Sequence, residues 1–280
     1  MKTRIISGII IAAFFAVFMF LAHIPFVLNT AVALLSAAAL YETLIVTKYV
    51  ESKALMWLSI MLAIIVPFIA PIMVNFPAAY AHVSTAIVTT IFAYILIVFI
   101  TMLASKDKFS LEHLSFVFLM TVIIPCFFST IIYSYNLPGG VFNILIVFMC
   151  AWGSDTGGYL FGGLYGRNQV TPKISPKKTV EGMIGSVLSS FSAVIFVSYI
   201  CDILIEEFTV NYPVACLCGL FGSICAILGD LFASVIKRSF GVKDFGSIIP
   251  GHGGIMDRFD SILFVAPFIY IVLSILPIFQ

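Results

Sequence analysis

The strongest constraint on this chain is a series of apolar runs, each long enough to cross a membrane. A helix needs about 20 apolar residues to span the hydrocarbon core of a bilayer. Hydrophobic residues make up 62% of the sequence and charged residues only 10%, unlike soluble domains. The sequence therefore predicts an all-α polytopic membrane protein with about nine transmembrane helices. The candidate spans are residues 5–24, 26–47, 54–74, 82–104, 113–134, 140–163, 180–201, 212–236 and 260–279.

The basic residues test both the number of spans and their orientation. With nine spans, all 14 Lys and Arg residues fall on the side of the N-terminus and of the loops after the even-numbered spans. By the positive-inside rule this side is cytoplasmic, and the C-terminus is expected on the opposite side. The first run follows Lys2 and Arg4 as in a signal peptide. It is longer than a signal core and lacks a clear cleavage site, so we interpret it as a retained span.

Polar content divides the chain into two predicted regions. Residues 1–134 read as hydrophobic helices, and we expect them to form a scaffold that also supplies any oligomer contacts. Residues 135–280 carry the polar clusters and are predicted to form the catalytic transmembrane region with its cytoplasmic loops.

The first polar cluster, AWGSDTGGYLFGGLYGR, covers Ala151–Arg167. At helical spacing Asp155 shares a stripe with Gly158, Gly162 and Gly166. Small residues let helices approach closely, and helix packing alone can explain these glycines. A carboxylate in a membrane span is costly, and it marks a functional site or an ion pair. Asp155 is therefore a candidate site residue.

The second cluster, TPKISPKKTVEG, covers Thr171–Gly182 and is expected to be a cytoplasmic loop leading into span seven. Two interpretations of this loop remain open. Lysines beside an anionic leaflet collect for topology and lipid attraction alone. Alternatively, the hydroxyl-bearing turn ends at a helix N-terminus, where backbone N–H groups and the helix dipole favour phosphate.

The third cluster begins inside span eight. Asp230, Ser234 and Lys237 are spaced i, i+4 and i+7 and share one helix face. A glycine-rich connection follows, and Asp257 and Asp260 then open span nine at i and i+3. Both carboxylates are expected to point the same way at the cytoplasmic boundary.

Four carboxylates are therefore expected at similar depth near the cytoplasmic ends of three spans. They would repel one another, and a bound divalent cation is the simplest way to keep them ionised. Oxygen ligands suit Mg²⁺, which binds carboxylates together with water and substrate phosphates. Basic side chains and glycine backbone would neutralise those phosphates. Metal and phosphate together predict phosphoryl or nucleotidyl transfer in a polar cavity that faces the cytoplasm.

Acyl-transfer chemistry is not indicated, because the sequence contains no G-x-S-x-G elbow. His252 is the histidine within the polar region. Its flanking glycines fit either a tight loop that approaches a ligand or a purely conformational role.

The stretch from Ser234 to Asp260, S-x-I-K-R-x4-K-D-x-G-x2-I-P-x-H-G-G-x2-D-R-x-D, resembles the signature of the phosphatidate cytidylyltransferase family, also called CDP-diacylglycerol synthases. The upstream SPKKT-x-EG and S-D-T-G-x-Y segments resemble family motifs in the same order. Val180, where the family often has Trp, and Gly158, where Ala is frequent, depart from the pattern. Neither departure removes a charged or ligating group.

The resemblance implies that CTP and phosphatidate react to give CDP-diacylglycerol and pyrophosphate in phospholipid biosynthesis. It implies Mg²⁺, with a second cation left open, a lipid bilayer as partner, a homodimer, and no nucleic acid. The implied metal ligands are Asp230 and Asp257, followed by Asp260 and Asp155 as second choices. The implied catalytic residues are Asp230, Lys237, Asp257 and Asp260. The implied substrate contacts are Asp155, Ser175, Lys177, Lys178, Thr179, Ser234, Arg238, Lys243, His252 and Arg258.

Other membrane proteins remain as alternatives. A CTP-dependent polyprenol kinase would release CDP rather than pyrophosphate, and a CDP-ether-lipid synthase would use a different lipid. An ion-coupled transporter could use Asp155 and Asp230 as a cation path. That alternative requires polar residues toward the outer face, whereas the outer halves of these spans are apolar.

Overall fold

The computed structural model describes residues 16–24, 26–50, 52–75, 80–104, 111–205, 209–249 and 253–279, and these are mainly helical. The predicted all-α class is confirmed. The helices are α1 (described over 16–21), α2 (Val27–Thr47), α3 (Lys53–Asn75), α4 (Tyr80–Ala104), α5 (Leu111–Tyr135), α6 (Val141–Tyr165), α7 (Val180–Leu204), α8 (Tyr212–Ser239) and α9 (Met256–Ile275). Two short strands, β1 (Gln169–Thr171) and β2 (Ser175–Thr179), lie between α6 and α7.

Within the described residues, six helices are long and apolar enough to cross a membrane, namely α2, α5, α6, α7, α8 and α9. Shorter apolar segments occur in α3, over Lys53–Ile69, and in α4, over Thr85–Thr101. Most of the first predicted span lies outside the described residues. An integral membrane protein is therefore supported, while the count of nine spans stays a prediction.

Two segments differ from their predicted form. Helix α9 begins at Met256, four residues before the predicted start at 260, and ends at Ile275, two residues before Pro277; proline is common just after a helix end. The predicted loop before span seven contains an antiparallel hairpin, in which Gln169 pairs with Thr179 and Thr171 with Ser175.

The chain forms two compact units. The first contains Met1–Ser129 together with Asp244–Met256, and the second contains Thr130–Lys243 together with Asp257–Gln280. The predicted division at residue 134 concerns the roles of the two regions, and those roles stay a prediction.

In the first unit, hydrogen bonds between buried polar side chains join three helices. Ser59 of α3 and Tyr94 of α4 share a hydrogen bond of 2.7 Å between their hydroxyl groups, and the Tyr94 hydroxyl donates to Thr121 Oγ1 of α5 at 3.0 Å. Since apolar side chains gain little by leaving lipid for one another, such bonds and close packing hold membrane helices together.

In the second unit, small residues bring α6, α7 and α8 into close contact. A Cβ atom on Gly157 would collide with the backbone of Gly185 in α7. The hydroxyl of Ser186 in α7 donates to the carbonyl of Ser154 in α6 at 2.7 Å. The hydroxyl of Ser190 donates to a carbonyl of α8 at 3.0 Å. Gly157 of the first polar cluster therefore packs α6 closely against α7, whereas a Cβ atom on Gly163 would meet nothing within 4 Å.

Candidate active site

Lys178 joins the hairpin to helix α8. Its Nζ lies 2.8 Å from Asp230 Oδ2 and donates to the carbonyl of Ile227 at 3.1 Å. The hydroxyl of Ser234, one turn along α8, lies 3.5 Å from Asp230 Oδ1, at the limit of a hydrogen bond. The predicted shared face of Asp230 and Ser234 is thus observed, and a partner from the hairpin completes it.

Lys237 joins α8 to the first turn of α9. Its Nζ lies 2.7 Å from Asp257 Oδ1, and the side chains of Lys237 and Asp257 are only 11% and 3% exposed. The pair between Lys178 and Asp230 is more open, at 19% and 34%. A buried ion pair has a large desolvation cost that the attraction between its partners offsets. Removal of Lys237 or Asp257 would therefore leave an uncompensated buried charge.

Asp155 and Asp260 belong to the same group of charges. The hydroxyl of Ser261 donates to Asp155 Oδ1 at 3.1 Å, and the backbone N–H of Ser261 donates to Asp260 Oδ1 at 2.8 Å. Asp230 lies close enough to repel both carboxylates. One residue of α9 therefore contacts two of the predicted site carboxylates.

Basic groups offset part of this repulsion. The positive charges of Lys178 and Arg258 attract the Asp155 carboxylate, and the charge of Lys237 attracts the Asp260 carboxylate. The site therefore groups carboxylates with basic side chains, and these residues are supplied by α6, the hairpin, α8 and α9.

Two further predicted substrate contacts have structural partners. Arg238 Nε donates to the carbonyl of Ile174 in the hairpin turn at 3.2 Å, and Nη1 donates to the carbonyl of Val242 at 3.0 Å. Thr179 caps α7, because its Oγ1 accepts from the backbone N–H of Gly182 at 3.1 Å. Binding of substrate by either residue stays a prediction.

The other predicted substrate contacts are described by their exposure. Lys177, Lys243 and Arg258 are exposed, and Ser175 is half-buried in β2. His252 lies outside the described residues, so its two interpretations both stay open.

Among the residues that the structure describes, no three Asp, Glu, His or Cys side chains are grouped so as to hold a metal ion. Two of the predicted ligands, Asp230 and Asp257, instead bind lysine ammonium groups. The carboxylate oxygens have the right chemistry for Mg²⁺. A cation there would have to share these carboxylates with lysine.

Sequence reasoning missed Ser261, which directly follows Asp260 of the third cluster. A serine inside a helix more often bonds its own backbone. The available sequence signal is its place beside Asp260; that its hydroxyl faces Asp155 of α6 is seen only in the structure.

Comparison with known proteins supports a functional assignment for this geometry. The sequence model of the Cytidylyltransferase family matches residues 2–276. The chain belongs to this family.

Two relatives within the family show how far the similarity extends. A phosphatidate cytidylyltransferase of Bacillus subtilis (strain 168) is 34% identical over 277 residues, which is 98% of each chain. A phosphatidate cytidylyltransferase of Staphylococcus haemolyticus (strain JCSC1435) is 41% identical over 170 residues, or 60% of this chain and 62% of that protein. The predicted family is therefore confirmed over nearly the whole length.

Proposed function

We propose that this membrane protein is a nucleotidyltransferase that condenses CTP with phosphatidate to give CDP-diacylglycerol and pyrophosphate in phospholipid synthesis. The observation that carries the proposal is the convergence of Asp155, Asp230, Asp257 and Asp260 with three basic side chains in a chain of the cytidylyltransferase family. The full-length similarity to a phosphatidate cytidylyltransferase supports this choice of substrates.

The reaction needs charge control more than a strong base. A phosphate oxygen of phosphatidate forms a bond to the α-phosphorus of CTP, and the bond from that phosphorus to pyrophosphate breaks, with the electron pair leaving on pyrophosphate. The attacking phosphate is already anionic, so the main barrier is the approach of two anions. Positioned cations lower that barrier and orient the attack.

The lysines are the basic side chains best placed for this work. Lys178 and Lys237 are held by Asp230 and Asp257, which keeps each ammonium group ordered before substrate arrives. We propose that Lys178 and the exposed Lys177 contact substrate phosphates, and that Lys237 supports the catalytic carboxylates. Arg258, beside Asp155, adds positive charge on the side of α6.

We propose Mg²⁺ as cofactor, held by Asp230, Asp257 and Asp260. The metal would screen the triphosphate and polarise the reacting phosphorus. The oxygen-only donor set supports this choice. Chelation with EDTA should abolish turnover and Mg²⁺ should restore it. Activity that persists without any divalent metal would contradict the assignment.

The reaction itself is tested with purified protein in detergent micelles. Phosphatidate, CTP and Mg²⁺ should yield pyrophosphate and a CDP-lipid in equal amounts. Release of CDP with a phosphorylated alcohol would instead indicate a kinase, and preference for an ether-linked lipid would indicate a CDP-ether-lipid synthase. If neither pyrophosphate nor a CDP-lipid forms, the proposal is wrong.

We also propose that the N-terminus, the hairpin and the connection between α8 and α9 face the cytoplasm, with the C-terminus on the other side. The positive-inside rule supports this orientation, since the hairpin carries Lys173, Lys177 and Lys178. A cysteine at Lys177 should react with a membrane-impermeant thiol reagent only in inverted vesicles, and one at Asp202 only in right-side-out vesicles. The reverse pattern would invert the topology.

The family resemblance supports a homodimer. The mass of the purified protein, corrected for detergent by light scattering, should be twice that of one chain, and a single-chain mass would contradict it.

A further inference from the structure

Glu42 is an unusual residue for helix α2. It is only 3% exposed and lies in a helix long and apolar enough to span a membrane. A carboxylate in such a helix is costly unless polar groups satisfy it, and it marks function more often than packing. The sequence-based division placed residues 1–134 in the scaffold and did not single out Glu42.

The carboxylate of Glu42 meets the beginning of α9. Its Oε2 accepts a hydrogen bond from the backbone N–H of Met256 at 2.9 Å. Met256 is the first residue of α9, and N–H groups in a first helical turn have no acceptor within the helix. A negative charge there also interacts favourably with the helix dipole. Glu42 therefore acts as the cap of a helix 214 residues away in sequence.

The connection before α9 is shaped around the same carboxylate. A Cβ atom on Gly246 or Gly254 would collide with the Glu42 side chain, so a larger residue at either position would displace the carboxylate. The backbone N–H of Ile249 donates to the carbonyl of Gly253 at 3.0 Å, and Gly253 has a φ of +83°, which favours glycine. Gly246 and Gly254 thus accommodate Glu42, and Gly253 accommodates the pairing with Ile249.

We propose that Glu42 is a positioning residue for the transferase reaction. By fixing the N–H of Met256, it sets where α9 begins and hence the placement of Asp257, the next residue along the chain. It acts through the backbone of the connection and not on substrate. This inference rests on the proposed function.

The kinetic test uses three variants in purified protein. Glu42→Ala should lower kcat for CDP-diacylglycerol formation about tenfold to a hundredfold, because small displacements of catalytic groups are that costly. The KM for CTP should stay within about threefold, since Lys177 and Lys178, which we propose as phosphate contacts, lie on the hairpin and not on the connection before α9. Glu42→Gln keeps the volume and a carbonyl acceptor for Met256, and it should recover most of the lost kcat.

Thr43→Val is the matched control. Thr43 is buried beside Glu42, and its hydroxyl bonds the carbonyl of Ala39 in the same helix at 2.8 Å. Both kinetic constants should stay near those of the wild type. The proposal is overturned if Glu42→Ala keeps its kcat, if its effect falls on the KM for CTP alone, or if Glu42→Gln is no better than Glu42→Ala.

Hydrogen exchange of the substrate-free protein separates this inference from the proposed function. Amides of residues 253–256 should exchange faster in Glu42→Ala than in the wild type or Thr43→Val. Unchanged exchange in this segment would refute capping by Glu42. If the wild type forms no CDP-diacylglycerol, the proposed function fails, while the exchange result still decides whether Glu42 caps α9.

Discussion

Two carboxylates, Glu42 and Asp257, are both largely buried, yet they have different partners. Glu42 accepts from a backbone N–H group at a helix terminus, whereas Asp257 binds the ammonium group of Lys237. A backbone N–H group is fixed in the helix end and moves only with it. A lysine side chain can leave by rotation about its own bonds. The first arrangement suits a residue that shapes the protein, and the second suits one that must exchange partners during a reaction.

The largest expected effect is on Asp257. Asp257→Asn keeps the shape of the side chain but removes the charge, so we expect a loss of kcat of about a thousandfold, as when a key electrostatic group is removed from an active site. Pyrophosphate release measures it. Asp202→Asn is the control, because Asp202 accepts from the Tyr212 hydroxyl outside the site. An unchanged rate in Asp257→Asn would show that the Asp257 charge does not take part in the reaction.

The two lysine pairs should differ in stability. Lys237→Met leaves Asp257 buried without its ammonium partner, and we expect a loss of about 3 kcal/mol in the free energy of unfolding. Lys178→Met affects a more exposed pair and should cost about 1 kcal/mol or less. Unfolding in mixed micelles measures both values. Equal losses would show that burial does not distinguish the pairs.

The glycines around Glu42 provide a steric test. Gly254→Ala places a methyl group against the Glu42 carboxylate and should destabilise the protein by about 2 kcal/mol, as overpacking does. Gly163→Ala is the matched control, because a Cβ there meets nothing within 4 Å. A neutral Gly254→Ala would mean that the connection is not fitted to Glu42.

The smallest effect is expected at Ser261. Ser261→Ala removes the hydrogen bond to Asp155 but leaves the backbone bond to Asp260 intact. One hydrogen bond contributes about 1 kcal/mol, so kcat should fall about fivefold. A loss as large as that of Asp257→Asn would place Ser261 among the residues that act on the reaction directly.

The features that depend on local spacing could be predicted from the sequence. Apolar length located the helices, and i, i+4 spacing placed Asp230 and Ser234 together. The metal ligands, the sidedness of the membrane and the dimer stay predictions.

Pairings between distant segments were not accessible in the same way. The ion pairs of Lys178 with Asp230 and of Lys237 with Asp257 depend on how helices pack. The local sequence around each residue does not reveal that packing. The hairpin was missed because SPKKT has weak strand propensity, with a proline that only an edge strand tolerates. Glu42 was missed because its partner is 214 residues away.

The two anchors of the hairpin have a kinetic consequence. Lys178 bonds the carbonyl of Ile227, and Arg238 bonds the carbonyl of Ile174, so α8 holds the hairpin near both ends of β2. A segment that is already ordered gives up little conformational entropy when a ligand binds. With the hairpin in the phosphate-binding role that we propose, nucleotide association should be limited by diffusional encounter and charge steering, which depend on ionic strength, and not by the closing of a loop.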